Sequence, residues 1–305
     1  MNNLEKNMLD KIDVHNIESK DAYNIRLNGK GVERKVSPYI DIITKTDKSG
    51  IDIKVKDNTL LGTIDIPVII TESGLTDIVY NDFYIGKNCN ITITAGCGIH
   101  NEKDKNAQHD GIHRFFIDEN SKVTYLETHY GEGEGKGKRI LNPTTEIYLK
   151  KGSTMKMNTT QIEGVDDTNR ITIAELDDDA TLIVNEKLLT NNKQNAKTTF
   201  KVDLKGVNSS THVTSRSIAT DNSYQEFKSN VTGYNKCYGH VECDAILKDN
   251  GIVKAIPEIL AKNIDANLVH EASIGKIAGE QLIKLMSLGL NEKEAEEVII
   301  KGFLK

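Results

Sequence analysis

The stretch Ile85 to Ile91 reads IGKNCNI, and the same phrase returns as IDENSKV (117–123), LKKGSTM (149–155), LDDDATL (176–182) and LKDNGIV (247–253). Each copy is an aliphatic residue, three turn formers, a small residue, one variable position and a second apolar residue. The first four copies start 32, 32 and 27 residues apart, and a looser one, LKGVNSST, starts at Leu204. A strand-turn-strand unit repeated about every 30 residues cannot bury its apolar face alone, and stacking copies along one axis gives a continuous core. The expected fold is mainly β, with a parallel, right-handed β-helix core whose corners carry the small residues Cys89, Ser121, Ser153, Ala180 and Gly251. A Greek-key sandwich with look-alike hairpins is the competing architecture, because periodic turns do not fix topology.

Working outward, short apolar runs such as YIDIIT, GIDIKV, TIDIPVIIT and NITITAG, separated by Gly, Asn, Asp and Lys, place strands over residues 34–256. Residues 1–33 form an N-terminal cap, in which 2–20 read as one amphipathic helix with Leu4, Met8, Leu9 and Ile12 near one face. After Pro257 a C-terminal helical region, 257–305, is expected. There Ile277, Leu282, Leu285 and Met286 fall at helical spacing up to Gly289, and Asn291 with Glu294 makes a capping box for a second helix. This hairpin covers the end of the solenoid or offers a face to a partner.

The chain has 305 residues with 4 Pro and no Trp, and its 39 basic and 45 acidic residues are intermixed at a net charge of -6, which argues against a nucleic-acid surface. No run approaches the roughly 18 apolar residues of a membrane span, and MNNLEKNMLDKIDVHN is too polar for a signal peptide, so a cytoplasmic protein is expected. Four cysteines, Cys89, Cys97, Cys237 and Cys243, are too few and too scattered for a disulfide framework and read as free thiols or ligands.

Cys243, beside Asp244, and the pair His270-Glu271 supply thiolate, imidazole and carboxylate, the ligand types for iron or zinc. Their spacing is too long for a local knuckle, so the fold must bring them together. A second set, Cys97, His100, His109 and His113, makes a Zn site if NEKDKNAQ loops back, and otherwise a solvated loop beside an outward His113. His129 and His240 read as structural strand residues. GEGEGKGKRI (131–140) lacks the G-x-x-x-x-G-K-[ST] pattern and is expected to be a flexible exposed loop, so this chain binds no nucleotide. Asp177, Asp178 and Asp179 would serve a β-helix carbohydrate-active enzyme, against which stand the 5% aromatic content and the missing tryptophan. A zinc-binding structural solenoid or a polymerising one is the remaining alternative.

The segments ECDAIL (242–247), Ile256-Pro257, VHEASIGKI (269–277), EQL (280–282) and LGLNEKEAEEVIIKGF (288–303), with HRFFIDENSKVTYLETHYG (113–131) upstream, resemble the SufB/SufD family of iron-sulfur cluster assembly proteins. The resemblance implies a non-enzymatic scaffold carrying a transient Fe-S cluster, fed by a sulfur donor and working with a SufC-like ABC ATPase. By position, Cys243 matches the SufB cysteine of cluster assembly and Glu271 the acid of its HEA motif, while His270 matches the histidine that SufD contributes. Holding both halves fits a homodimer, with a SufB/SufD-like heterodimer as the alternative. Its interface is expected along residues 212–256, and the ATPase contact in residues 277–305. The long N-terminal helical region of SufB, with its cysteine-rich motif, has no counterpart here, so steps tied to it do not carry over.

Overall fold

In the computed structural model, which describes residues 1–304, the aliphatic residues that open the repeats stand in register. Ile85 pairs with Ile117, Ile117 with Leu149, Leu149 with Leu176 and Leu176 with Leu204. The apolar residues that close them pair on a second sheet, Ile91 with Val123, then Met155, then Leu182. Each of these repeats is therefore the corner by which the chain leaves one sheet and enters the other. The last copy, Leu247 to Val253, turns the opposite corner, from the strand Cys237–Leu247 of the one sheet to Ile252–Ala261 of the other.

The first sheet stacks, among others, Asn90–His100, Lys122–Glu132, Thr154–Glu163, Thr181–Thr190, Ser210–Ala219, Cys237–Leu247 and Ala266–Lys276. The second stacks Thr76–Ile85, Ala107–Ile117, Asp167–Leu176, Asn195–Leu204, Tyr224–Gly233 and Ile252–Ala261. All of these neighbours are parallel. Antiparallel pairing is confined to the N-terminal end, where Ala22–Leu27 meets Lys30–Lys35 and Ile40–Thr44 meets Gly50–Val55. This is a parallel β-solenoid, and the sandwich is excluded.

Strand residues alternate between a buried inner face and a solvated outer one, as the two-residue side-chain period requires. The inner faces fill one long core in which Phe83 stacks on Phe115 at 4.3 Å. The corners repeat their chemistry. Asn88, Asn120, Asp179 and Asn208 take left-handed backbone angles (φ 55–57°), which short polar side chains tolerate. Beside them Ser153 Oγ donates to Lys150 O at 2.6 Å and Ser209 Oγ to Gly206 O at 2.8 Å. Gly251 is needed at its corner because a Cβ there would lie 2.3 Å from Ala219 O.

Three expectations are corrected. The N-terminal helix α1 spans only Asn3–Lys11, because Asp13 and Asn16 take left-handed angles that end it. Met8 and, just past the helix, Ile12 pack on the side-chain-free outer face of Gly96 and Gly98. At the other end strands continue beyond residue 256, through Ile252–Ala261 and Ala266–Lys276, before helices α2 (Gly279–Ser287) and α3 (Glu292–Phe303) begin. Pro257 does not end the strands. It lies in the last strand of its sheet, and proline, which has no N–H to give, is tolerated on such an edge. Lastly, GEGEGKGK is a packed loop: Cβ atoms on Gly133, Gly135 and Gly137 would come within 2.3 Å or less of the backbone of Asn101, Lys103 and Lys105. Its alternate glycines serve close approach to the neighbouring coil. The capping box of Asn291 with Glu294 is present as expected.

Candidate functional site

Cys243 lies on the inner face of Cys237–Leu247, one strand in from the end of its sheet, and is 1% exposed. Its neighbour in the terminal strand is Ala272, a small residue left exposed by the lack of a further coil. His270 pairs with Val241, so it shares the inner face with Cys243, two residues along. Neither of its ring nitrogens has a hydrogen-bond partner. Burial pushes the Cys243 thiol up to about 12, helped by the carboxylates of Glu186 and Asp244. At neutral pH it is a thiol until a metal or exposure to water removes the proton.

Glu271 points the other way. It pairs with Glu242 on the outer face, is 66% exposed, and its Oε1 lies 3.7 Å from His240 Nε2. The fold therefore brings Cys243 and His270 to one face and sets Glu271 on the other.

The second set divides likewise. Cys97, His109 and His113 are buried inside the solenoid, around a void of about 10 Å3 that Glu127 and His129 also line. His100 is outside, with Nδ1 donating to Glu132 at 2.8 Å and Nε2 3.2 Å from Glu102. Such a void is near the least room that one water needs. Among the described residues no three His, Cys, Asp or Glu side chains surround one point as a metal would require. Burial lowers His113 to about 4 and raises the Cys97 thiol well above its ordinary value, so both are neutral at pH 7. His113 Nδ1 meets Tyr125 OH at 2.8 Å.

Sequence reading missed a line of buried charge between these two regions. Arg170 donates to Glu127 at 2.6 Å and to His129 Nδ1 at 3.2 Å, and its Nε lies 3.7 Å from Glu186. Glu186 in turn accepts from Thr198 at 2.8 Å and from Ser215 at 2.7 Å, and Ser215 pairs with Cys243 in the register. Burial opposes the charge on Glu127, but Arg170 and His129 outweigh it and hold the carboxyl well below its usual range. The signal was the phase of the strand: Glu127 and His129 continue the inward alternation of Val123 and Tyr125. His129 thus hydrogen-bonds Glu127 through Nε2 at 3.0 Å, and burial lowers its pKa, against the pull of Glu127. The Asp177–Asp179 run serves a corner, where Asp178 accepts from Val207 N at 2.8 Å and Asp179 from Asn208 Nδ2 at 3.2 Å.

A family model described as SUF system FeS cluster assembly, SufBD core domain, matches residues 72–303. The chain belongs to the SufBD family. It is similar to the iron-sulfur cluster assembly SufBD family protein PH0883 of Pyrococcus horikoshii, 31% identical over 261 residues that cover 83% of this chain and 77% of that one. The corresponding protein MJ0034 of Methanocaldococcus jannaschii is 30% identical over 243 residues, 77% of this chain and 74% of that one. A SufBD family protein of Archaeoglobus fulgidus is 28% identical over 228 residues, 74% of this chain and 60% of that one. The matched region takes in the solenoid from Thr76–Ile85 onward and both C-terminal helices. Membership of the SufBD family assigns the chain a role in Fe-S cluster assembly. Among the described residues no helix is long and apolar enough to cross a membrane.

Proposed function

We propose that this SufBD protein is a non-enzymatic scaffold whose open C-terminal end is where an Fe-S cluster is put together as cargo. The observation that carries this is Cys243, a buried thiol one strand from the open end, with only Ala272 ahead of it and the unpartnered ring of His270 on the same face. Thiolate is the ligand of Fe-S clusters, while imidazole and carboxylate leave a cluster easier to pass on. Because Cys243 and Glu271 of one chain face opposite sides of the sheet, the full set of Cys243, His270 and Glu271 is completed by a second copy at that end. A homodimer is the simplest such assembly; a SufB/SufD-like heterodimer would present the same groups. A separate sulfur donor supplies the sulfide.

The ATPase partner belongs on the helical hairpin. Lys248 holds α3 to the solenoid through Glu296 at 2.5 Å, yet Ile283, Met286, Leu288 and Val298 stay exposed. An apolar patch rimmed by charge marks a protein contact. Removing residues 290–305 is expected to abolish co-purification with a SufC-like ATPase while the solenoid still melts cooperatively; full ATPase binding by the truncated chain would move the contact elsewhere.

The cluster site is tested by Cys243→Ser. The expected outcome is an unchanged circular dichroism spectrum with loss of the iron, sulfide and visible charge-transfer absorption gained on anaerobic reconstitution. Wild-type iron and sulfide in the variant would reject the assignment.

A further inference from the structure

In a chain whose net charge is -6, the outer face of the first sheet carries a stretch without carboxylates. Thr154–Glu163, Thr181–Thr190 and Ser210–Ala219 are neighbours there, and among the described residues their outward positions hold Lys156, Lys187, Arg216 and His212 with only neutral side chains between them. The other sheet differs. Its strands Asp167–Leu176, Asn195–Leu204 and Tyr224–Gly233 turn Asp167, Glu175, Asp203 and Glu226 outward, and Glu175 and Glu226 are paired, with Lys205 at 2.6 Å and Lys254 at 3.6 Å. On the first sheet Lys156 and Lys187 have no ion-pair partner among the described residues. Lys187 and Arg216 are register neighbours, while Lys156 precedes Thr160, the register partner of Lys187, by four residues. Four residues of strand span about 13 Å. The three cations therefore stand on two sides of a groove of about 420 Å3, with Asn158, Asn185 and Thr214 between them. Asn185 Nδ2 donates to Asn158 Oδ1 at 2.8 Å, which leaves the amide nitrogen of Asn158 without a partner.

Unanswered ammonium groups, a guanidinium and a spare amide donor around one groove suit an oxyanion. We propose that Lys156, Lys187 and Arg216, with the amide of Asn158, bind a small molecule that carries two phosphoryl groups, on the outer wall of the solenoid. Lysine serves phosphate as a flexible point charge and arginine as a fixed fork of donors. The groove is of the size of small-molecule sites, about 300–1,000 Å3. Carboxylates border it at both ends along the solenoid. On one side Thr214 and Arg216 pair with Glu242 and Asp244, and Arg216 counters part of the charge on Asp244. On the other, Thr128, the register partner of Thr160, donates to Asp13 at 2.6 Å. A long acidic segment lying along the coils would meet these like charges, so the anion that fits is short. Lysines on opposite sides call for two phosphoryl groups, one for each. Nothing in this groove depends on a cluster being built at the open end.

The test is calorimetric titration of diphosphate, inorganic phosphate and tetraglutamate into the full-length protein, each matched in ionic strength with sodium chloride. Wild type is expected to take up about one diphosphate per chain, and to bind phosphate more weakly because it cannot meet both lysines. Lys156→Gln and Lys187→Gln should each weaken diphosphate binding by roughly tenfold or more, the loss of one charge-assisted hydrogen bond. Both lysines point outward, so the variants keep the fold. Lys201→Gln, which removes an exposed cation from the other sheet, should bind as wild type does. Equal weakening in Lys201→Gln would show a diffuse field in place of a site and overturn the proposal. So would wild-type affinity in either of the other lysine variants, or no saturable uptake of diphosphate. Tetraglutamate binding more tightly than diphosphate would give the groove to an acidic polypeptide, and the small-molecule assignment would fall.

Discussion

Cys243 and Glu271 show how one residue of register decides what a side chain can do. Cys243 pairs with Ala272, so a ligand 28 positions on (271 minus 243) falls one short of its partner and on the opposite face. A slip of one residue along a strand exchanges inside for outside. The residue types were legible as metal-binding, but their facing was not, because the coil length at this end was hidden by Pro257. His113 carries a prediction at the same scale. Burial, and after it the neighbouring His109 and His129 against Glu127, brings its pKa to about 4. The unfolded chain, with an ordinary value near 6.5, therefore takes up the proton first. The contribution to stability is complete above about pH 6.5 and is lost as pH falls toward 4. Between pH 7.5 and 5 the loss is about 2 kcal/mol. His113→Gln removes this titration, so its urea-unfolding free energy should fall by about that much less over the same range. Parallel pH profiles for the two proteins would show that His113 is not held neutral by the fold.

At the scale of strands, the repeated phrase was a sound guide because it marks corners, and corners set which residues pair. The aliphatic residues that open its first four copies lie in one ladder. What the phrase does not encode is the content of the interior between corners. Lys122–Glu132 begins with Val123 and Tyr125 inside and ends with Glu127 and His129 inside, and neither hydropathy nor period signals that a coil will hold charge in its core. Arg170 from the facing sheet joins Glu127 to Glu186. Removing one partner of a buried ion pair costs about 3–5 kcal/mol, because the charge left behind is neither solvated nor paired. Arg170→Met is expected to destabilise the protein by that amount, and adding Glu127→Gln should recover part of the loss. If the double variant is as unstable as the sum of the single ones, the two side chains are not coupled, and the line of charge is not a unit.

The two ends of the whole solenoid are built differently, and that asymmetry carries the last prediction. An open sheet edge invites another chain, and proteins that must stay apart cover or charge such edges. At the N-terminal end Lys30–Lys35 is the edge strand of the first sheet, and its Lys30, Glu33, Arg34 and Lys35 are charged and exposed. At the C-terminal end the edges are Ile252–Ala261 and Ala266–Lys276, and Ile252, Ile259, Leu260, Ile264 and Ile274 are exposed there, Ile264 at 99%. Of residues 212–256, expected from sequence to supply the unpaired edge, the strands up to Leu247 are paired on both sides within the chain, and only 252–256 belong to a free edge. The free edges are Ile252–Ala261 and Ala266–Lys276; the second carries His270 and lies one strand beyond Cys243. If two copies meet there, placing a like charge at that end separates them. Ile259→Lys with Ile274→Lys is expected to convert a dimer to a monomer in sedimentation at micromolar concentration and to lose the reconstituted cluster in the same step. Both side chains are partly exposed in the isolated chain, at 43% and 39%, and a lysine stem can cover the same apolar surface with its ammonium in water, so the monomer should still melt cooperatively. Val32→Lys, at the charged end, should leave the dimer intact. A double variant that stays dimeric, or a wild-type chain that is monomeric throughout, would show that the cluster site is completed by some other partner.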